Sequence, residues 1–220
     1  MIISVVSLKG GAGKSTISQN LAVVFAHMNY KVTVVDTDVN GSTVRWSGYR
    51  DEELPNITVI ALADGEALRK NVKQLHEDCE ILIIDGTPAL SELASTTLLL
   101  ADIAIIPIKP GALDIWATEK FLEKYENVKT LKDDLSAFFV LNQFFYNSNL
   151  GEEVISILEE MPIPLLKSRL HIRVAFAECI SGGLGAYEYK DDKAVSEVVS
   201  LANEILEEIE KKSKAESVKT

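Results

Sequence analysis

Short runs of valine, isoleucine and leucine alternate along this chain with longer stretches whose apolar positions recur at helical spacing. The runs predict strands at Ile2–Leu8, Lys31–Asp36, Ile57–Ala61, Glu80–Asp85, Asp102–Ile108, Ser136–Asn142 and Pro164–Leu166. The helical spacing predicts helices at Ser15–Asn29, Gly65–Glu77, Ser91–Leu100, Leu113–Lys129, Glu152–Glu160, Ile172–Ile180 and Lys193–Lys212. Strands apolar on both faces, each followed by a helix, form βαβ units. The expected fold class is therefore α/β, a mostly parallel twisted sheet with helices on both faces. Ligands of such sheets sit beyond the carboxyl ends of the strands. The polar residues Lys9, Asp36, Asp38, Asp85 and Asn142 cluster there.

The last helix carries Val195, Val198, Val199, Ala202, Ile205, Leu206 and Ile209 along one stripe, and Glu197, Glu204, Glu207 and Glu208 opposite. A helix lying on a membrane would carry Lys or Arg on that polar face, so this one is expected to pack on the domain. No apolar run is long enough to span a bilayer, and no membrane partner is expected. With 220 residues, 47% of them hydrophobic, the chain suits one domain over residues 1–212 and a short polar tail at 213–220. The first strand opens at Ile2, so neither a secretory leader nor a long N-terminal extension is expected. Cys79 and Cys179 are far apart and read as free thiols of a reducing cytosol. A net charge of −11 argues against a uniformly basic nucleic-acid binder but leaves room for a local basic patch.

Chemistry enters directly after the first strand. Lys9–Thr16 reads Lys-Gly-Gly-Ala-Gly-Lys-Ser-Thr between that strand and a helix. A phosphate loop needs backbone N–H groups turned inward around the anion, which glycines permit. Gly10, Gly11, Ala12 and Gly13 supply this backbone, and Thr16 lies in the first turn of the helix whose N–H groups point at the phosphates. Lys14 brings a charge to the β- and γ-phosphates, and the Ser15 hydroxyl suits Mg²⁺. The strict loop pattern fails, because Leu8 occupies its first glycine position. The deviant form Lys-Gly-Gly-x-Gly-Lys-Ser/Thr fits throughout, with Lys9 as a second lysine.

Two further strands stop at acids. Ile81–Ile84 runs into Asp85-Gly86-Thr87-Pro88, the Walker B arrangement for holding Mg²⁺. Gly86 and Pro88 suit a segment that moves when the γ-phosphate is lost. Val34-Val35 runs into Asp36-Thr37-Asp38, where Asp36 would help order the metal shell. Asp38 would either position an attacking water or cap the following turn.

With these pieces in place, the chain resembles the ParA/MinD family of deviant Walker ATPases, and within it the small ParA-type partition proteins. The resemblance rests on Lys9–Thr16, Val34–Asp38, Ile81–Pro88, the strand end Ile106-Pro107-Ile108-Lys109-Pro110, Asn142 after a strand, and the Arg173 to Glu178 stretch. It implies an Mg²⁺-dependent ATP hydrolase that forms a homodimer in the ATP state, with Lys9 crossing to the partner's phosphates. It implies that Asp38 serves hydrolysis, Asp85 is the Walker B acid, Asp36 lies near Mg²⁺ and Asn142 contacts adenine. It further implies non-specific DNA binding by the ATP dimer, hydrolysis stimulated by a ParB-like partner, and segregation of plasmid or chromosome. Such a protein is cytoplasmic and nucleoid-associated. The membrane helix of MinD-like members and the cluster cysteines of iron-protein relatives are not in this sequence.

A positioning ATPase of the same build with a non-DNA cargo, such as a protein assembly or a conjugation complex, is the alternative. A ligase or metallochaperone on this fold would call for metal cysteines or a substrate pocket of its own. For DNA contact the candidate stretch is Lys167-Ser168-Arg169-Leu170-His171-Ile172-Arg173, with Lys167, Arg169 and Arg173 as its charges. The competing reading is solvated charge, or an Arg173–Glu178 pair. His27, His76 and His171 are isolated, and Trp46 reads as packing or an interface anchor.

Overall fold

The computed structural model describes residues 1–7, 9–87, 92–145 and 149–217. Seven strands form one parallel sheet: β1 (Ile2–Val5), β2 (Val32–Asp36), β3 (Ile57–Ala61), β4 (Ile81–Asp85), β5 (Ile103–Ile108), β6 (Ser136–Phe144) and β7 (Leu165–His171), in spatial order β3-β2-β4-β1-β5-β6-β7. The helices are α1 (Lys14–His27), α2 (Ser42–Ser47), α3 (Gly65–Glu77), α4 (Glu92–Leu100), α5 (Ala112–Lys129), α6 (Asn149–Glu159), α7 (Ala175–Glu178) and α8 (Asp192–Ser217).

Alternation along the strands divides the apolar side chains between two cores, as a two-residue side-chain period requires. Ile3, Val5, Ile81, Ile83, Ile103 and Ile105 face the side covered by α1 and α8. Ile2, Leu82, Ile84, Ala104, Ile106 and Ile108 face the side covered by α3, α4, α5 and α6. Every residue of β1, β4 and β5 is buried. These central strands present no polar face, and their charged residues appear only where the strands end.

Most predicted elements stand within a few residues of their bounds, and β3 and α3 match them. Four features differ. The predicted helix Ile172–Ile180 is reduced to the single turn of α7, followed by a tight turn at Cys179–Gly182. β7 extends through Lys167 and Arg169 to His171, so the basic stretch is an edge strand. α8 continues to Ser217, past Lys212 where a tail was expected. α2 was not anticipated, because a six-residue helix is too short to show a period. Leu8, Pro88, Leu90 and Ser91, which belong to predicted segments, lie outside the described residues.

α8 also protects the free edge of β7. The Glu204 carboxylate accepts the backbone N–H groups of Lys167 (2.7 Å) and Ser168 (2.8 Å), and Glu197 accepts that of His171 (3.0 Å). Two acids that the helical wheel placed on a solvent face thus close an exposed strand edge, where open donors invite pairing with another chain.

Candidate nucleotide site

The carboxyl ends of β1, β2, β4, β5 and β6 meet around the loop after β1. Asp36 and Asp85 are register partners across β2 and β4, and Val5 is the partner of Asp85 across β1 and β4. The loop turns on two left-handed glycines, Gly11 (φ 72°) and Gly13 (φ 93°). Behind it, Asn142 at the end of β6 donates its amide to the Ala12 carbonyl at 2.8 Å. A Cβ on Gly13 would stand 2.0 Å from that amide nitrogen. The loop and the β6 end therefore interlock at a spot with room only for hydrogen.

Lys14 begins α1 and is only 6% exposed, with its ammonium 3.4 Å from the Lys9 carbonyl. Burial lowers its pKa, against the opposing fields of Asp85 and Asp38. The Asp85 carboxylate is fully buried and accepts the hydroxyls of Thr43 (2.6 Å) and Ser18 (3.2 Å). Burial pushes its pKa up to about 6; hydrogen bonds from Thr43, Ser15 and Ser18 oppose that rise and the nearby Asp36 charge adds to it. Ser15 and Asp85, expected to share a metal, thus stand close enough for the Ser15 hydroxyl to lower the Asp85 pKa.

The other two acids have structural duties. Asp36 accepts the backbone N–H groups of Thr43 (2.8 Å) and Val44 (3.1 Å) through one oxygen and that of Asp38 (3.0 Å) through the other. It anchors the start of α2, and so aims Thr43 at Asp85. Three of its lone-pair positions are thus taken. Asp38 uses one oxygen to cap the next turn, accepting the backbone and side-chain N–H groups of Asn40 at 2.9 and 2.8 Å. Its other oxygen makes no hydrogen bond among the described residues. Both readings of Asp38, turn cap and water-facing acid, fit this geometry.

Lys9 does not point into its own loop. Its ammonium pairs at 2.8 Å with Asp114 in the first turn of α5. Neither Asp114 nor Thr43 was legible as a partner in the sequence. An acid in a first helical turn and a threonine after a glycine are ordinary, and only the sheet order brings them to the loop. Beside Asn142, a cavity of about 330 Å³ is lined by Thr16, Asn20, Gln143, Leu170, Ile172 and Phe176 among others. It opens from the first turn of α1, where a nucleoside attached to a loop-bound phosphate chain would extend.

The donor set fits a magnesium nucleotide. Among the described residues, no three His, Cys, Asp or Glu side chains converge to hold a metal alone. Mg²⁺ characteristically takes one or two carboxylates and completes its octahedron with phosphate oxygens and water, which Ser15 and Asp85 accommodate. The Thr87 hydroxyl, two residues past Asp85, is buried and has no hydrogen-bond partner among the described residues.

The basic stretch is less open than its sequence suggests. Arg173 pairs with Glu197 (2.5 Å), not with Glu178, and His171 pairs with the same carboxylate at 2.7 Å. The Arg169 guanidinium lies over the Phe144 ring at 5.2 Å. Lys167 is exposed. Trp46 is buried and donates its indole N–H to the Leu184 carbonyl at 3.0 Å, which makes it packing. Both cysteines are free and buried.

A parallel sheet, a glycine loop opening a helix, a buried lysine and a buried strand-end aspartate define a P-loop nucleotide-binding protein. The chain belongs to the CobQ/CobB/MinD/ParA nucleotide binding domain family, whose model matches residues 3–185. It is 25% identical over 207 residues to the maintenance of carboxysome distribution protein A of Halothiobacillus neapolitanus, covering 93% of this chain and 95% of that one. It is 35% identical over 113 residues to a protein ParA of Rhizobium radiobacter, covering 51% and 50%. Among solved structures, the septum site-determining protein MinD of Pyrococcus horikoshii, complexed with Mg-ADP, superimposes with a TM-score of 0.73 at 24% identity, over 93% and 95% of the two chains. None of the described helices is long and apolar enough to cross a membrane.

Proposed function

We propose that this protein is a positioning ATPase that hydrolyses Mg-ATP, dimerises around it, and segregates DNA. The carrying observation is the division of labour between the two lysines. Lys14 is buried inside the loop, while Lys9, 39% exposed, is turned out of it towards α5. A cation outside its own cradle can serve a second molecule's phosphates by exchanging Asp114 for them. A charge supplied in trans neutralises the negative charge that builds up in phosphoryl transfer and makes assembly depend on the triphosphate. When Mg²⁺ is bound at Ser15 and Asp85 it supplies further neutralisation at the phosphates. The MinD relative with Mg-ADP supports the choice of cofactor.

In this reading the ATP dimer holds non-specific DNA through Lys167 and Arg169, and a ParB-like DNA-binding partner stimulates hydrolysis and releases it. The test is co-sedimentation with random duplex DNA in ATP and in ADP over a salt series. ATP-dependent binding that falls steeply with salt is expected. Full DNA binding by a Lys167→Ala/Arg169→Ala variant that keeps its ATPase activity would end the assignment of that strand.

A second reading has its own support. Glu197 offsets the charges of Arg173 and His171, and Glu204 stands beside Lys167, which weakens the strand as a phosphate-binding surface. One relative matched along nearly its whole length is named for carboxysome distribution. A protein assembly as cargo follows if ATP-dependent dimers form without binding DNA.

A further inference from the structure

A third lysine stands at the phosphate loop. Lys109 directly follows β5, whose last residue, Ile108, is the register partner of Leu141 beside Asn142. The sheet thus delivers Lys109 and Asn142 side by side to the same loop. Asn142 grips it at Ala12 and Gly13, and Lys109 reaches it at Gly11. A Cβ on Gly11 would lie 3.8 Å from the Lys109 ammonium nitrogen.

The three lysines differ in their partners. Lys9 is paired with Asp114, and Lys14 leans on the Lys9 carbonyl. Lys109 is half-buried and makes neither an ion pair nor a hydrogen bond among the described residues. Withdrawing an ammonium partly from water with no counter-charge is unfavourable, and an anion bound beside it would relieve that cost. The position indicates which anion. The N-terminus of α1 takes the inner phosphates of a chain held in the loop and Lys14 reaches its β- and γ-phosphates, so the terminal phosphate lies towards the first residues of the loop, where Lys109 stands.

We propose that Lys109 binds the terminal phosphate of the nucleotide and sets the preference for triphosphate over diphosphate. This rests on the nucleotide-site reading above. Calorimetric titration of Lys109→Met with a non-hydrolysable ATP analogue and with ADP, each with Mg²⁺, tests it. A charge-assisted hydrogen bond to phosphate corresponds to roughly tenfold or more in affinity. The triphosphate analogue should weaken by about that factor, and ADP by less than about twofold. Lys109→Arg, which keeps the charge, should restore at least part of the preference. Unchanged affinities, equal losses for both nucleotides, or no restoration by arginine would overturn the proposal. Lys14→Ala is the separate control: if it still binds both nucleotides at full strength, the underlying site assignment fails, whatever Lys109 does.

Discussion

Replacing Gly13 with alanine would load two costs onto one methyl group, and the two can be separated. The residue sits at φ 93°, ψ 22°, where an L side chain costs about 1–2 kcal/mol. The new Cβ would also fall 2.0 Å from the Asn142 amide nitrogen, so that side chain must leave and abandon the Ala12 carbonyl. Leaving a buried acceptor unpaired costs about 1–3 kcal/mol. Gly13→Ala should therefore destabilise the nucleotide-free protein by about 2–5 kcal/mol. Asn142→Ala alone removes the same hydrogen bond and should cost about 1–3 kcal/mol. In the double variant the hydrogen bond is lost only once and no clash remains, so adding Asn142→Ala to Gly13→Ala should cost almost nothing. The double-mutant cycle should be non-additive by about 1–3 kcal/mol, read from urea denaturation midpoints of the four proteins. Additivity within about 0.5 kcal/mol would refute the interlock between loop and sheet.

The remaining predictions touch other parts of the molecule. Asp85 titrates near 6 when folded, against an ordinary 3.8, so between those values the native state holds a proton that the unfolded chain has released. Stability of the nucleotide-free protein should therefore fall as pH rises from about 4 to 6, by on the order of 3 kcal/mol, and Asp85→Asn should flatten that part of the urea-midpoint profile. Lys9→Ala should abolish ATP-dependent dimers in analytical ultracentrifugation and reduce turnover by 10³-fold or more, about what a charge supplied in trans contributes; normal assembly and turnover would refute the role in trans. Asp114→Asn, which unpairs Lys9, should shift the dimerisation midpoint to lower protein concentration, measured in the same way. Glu188 accepts two guanidinium bonds from Arg50 (2.6 and 2.9 Å) and one from His27 (2.8 Å), with Arg50 and Glu188 side chains only 7% and 4% exposed. Glu188→Gln should cost about 3–5 kcal/mol in urea denaturation, because it removes the counter-charge of a buried guanidinium.

The residue order of this chain was enough to specify what depends on neighbours along the chain. Both-face apolar runs marked β1, β2, β4 and β5, because a strand buried on two sides needs no polar alternation. The phosphate loop was readable because its glycines, lysine and serine act within one turn of backbone. Contacts between distant segments were not readable. Asp114 closing on Lys9, Thr43 donating to Asp85, Glu197 drawing the charge from Arg173, and Lys109 arriving at Gly11 all join positions far apart in the chain. Glu197 meets Arg173 because α8 packs along the edge strand β7, and the other three arise because parallel strands stacked as β2-β4-β1-β5-β6 end on one edge. Strand order is a property of the packed sheet; local propensity carries no record of it. The folded molecule alone therefore decided which charges meet a counter-charge and which remain for a ligand.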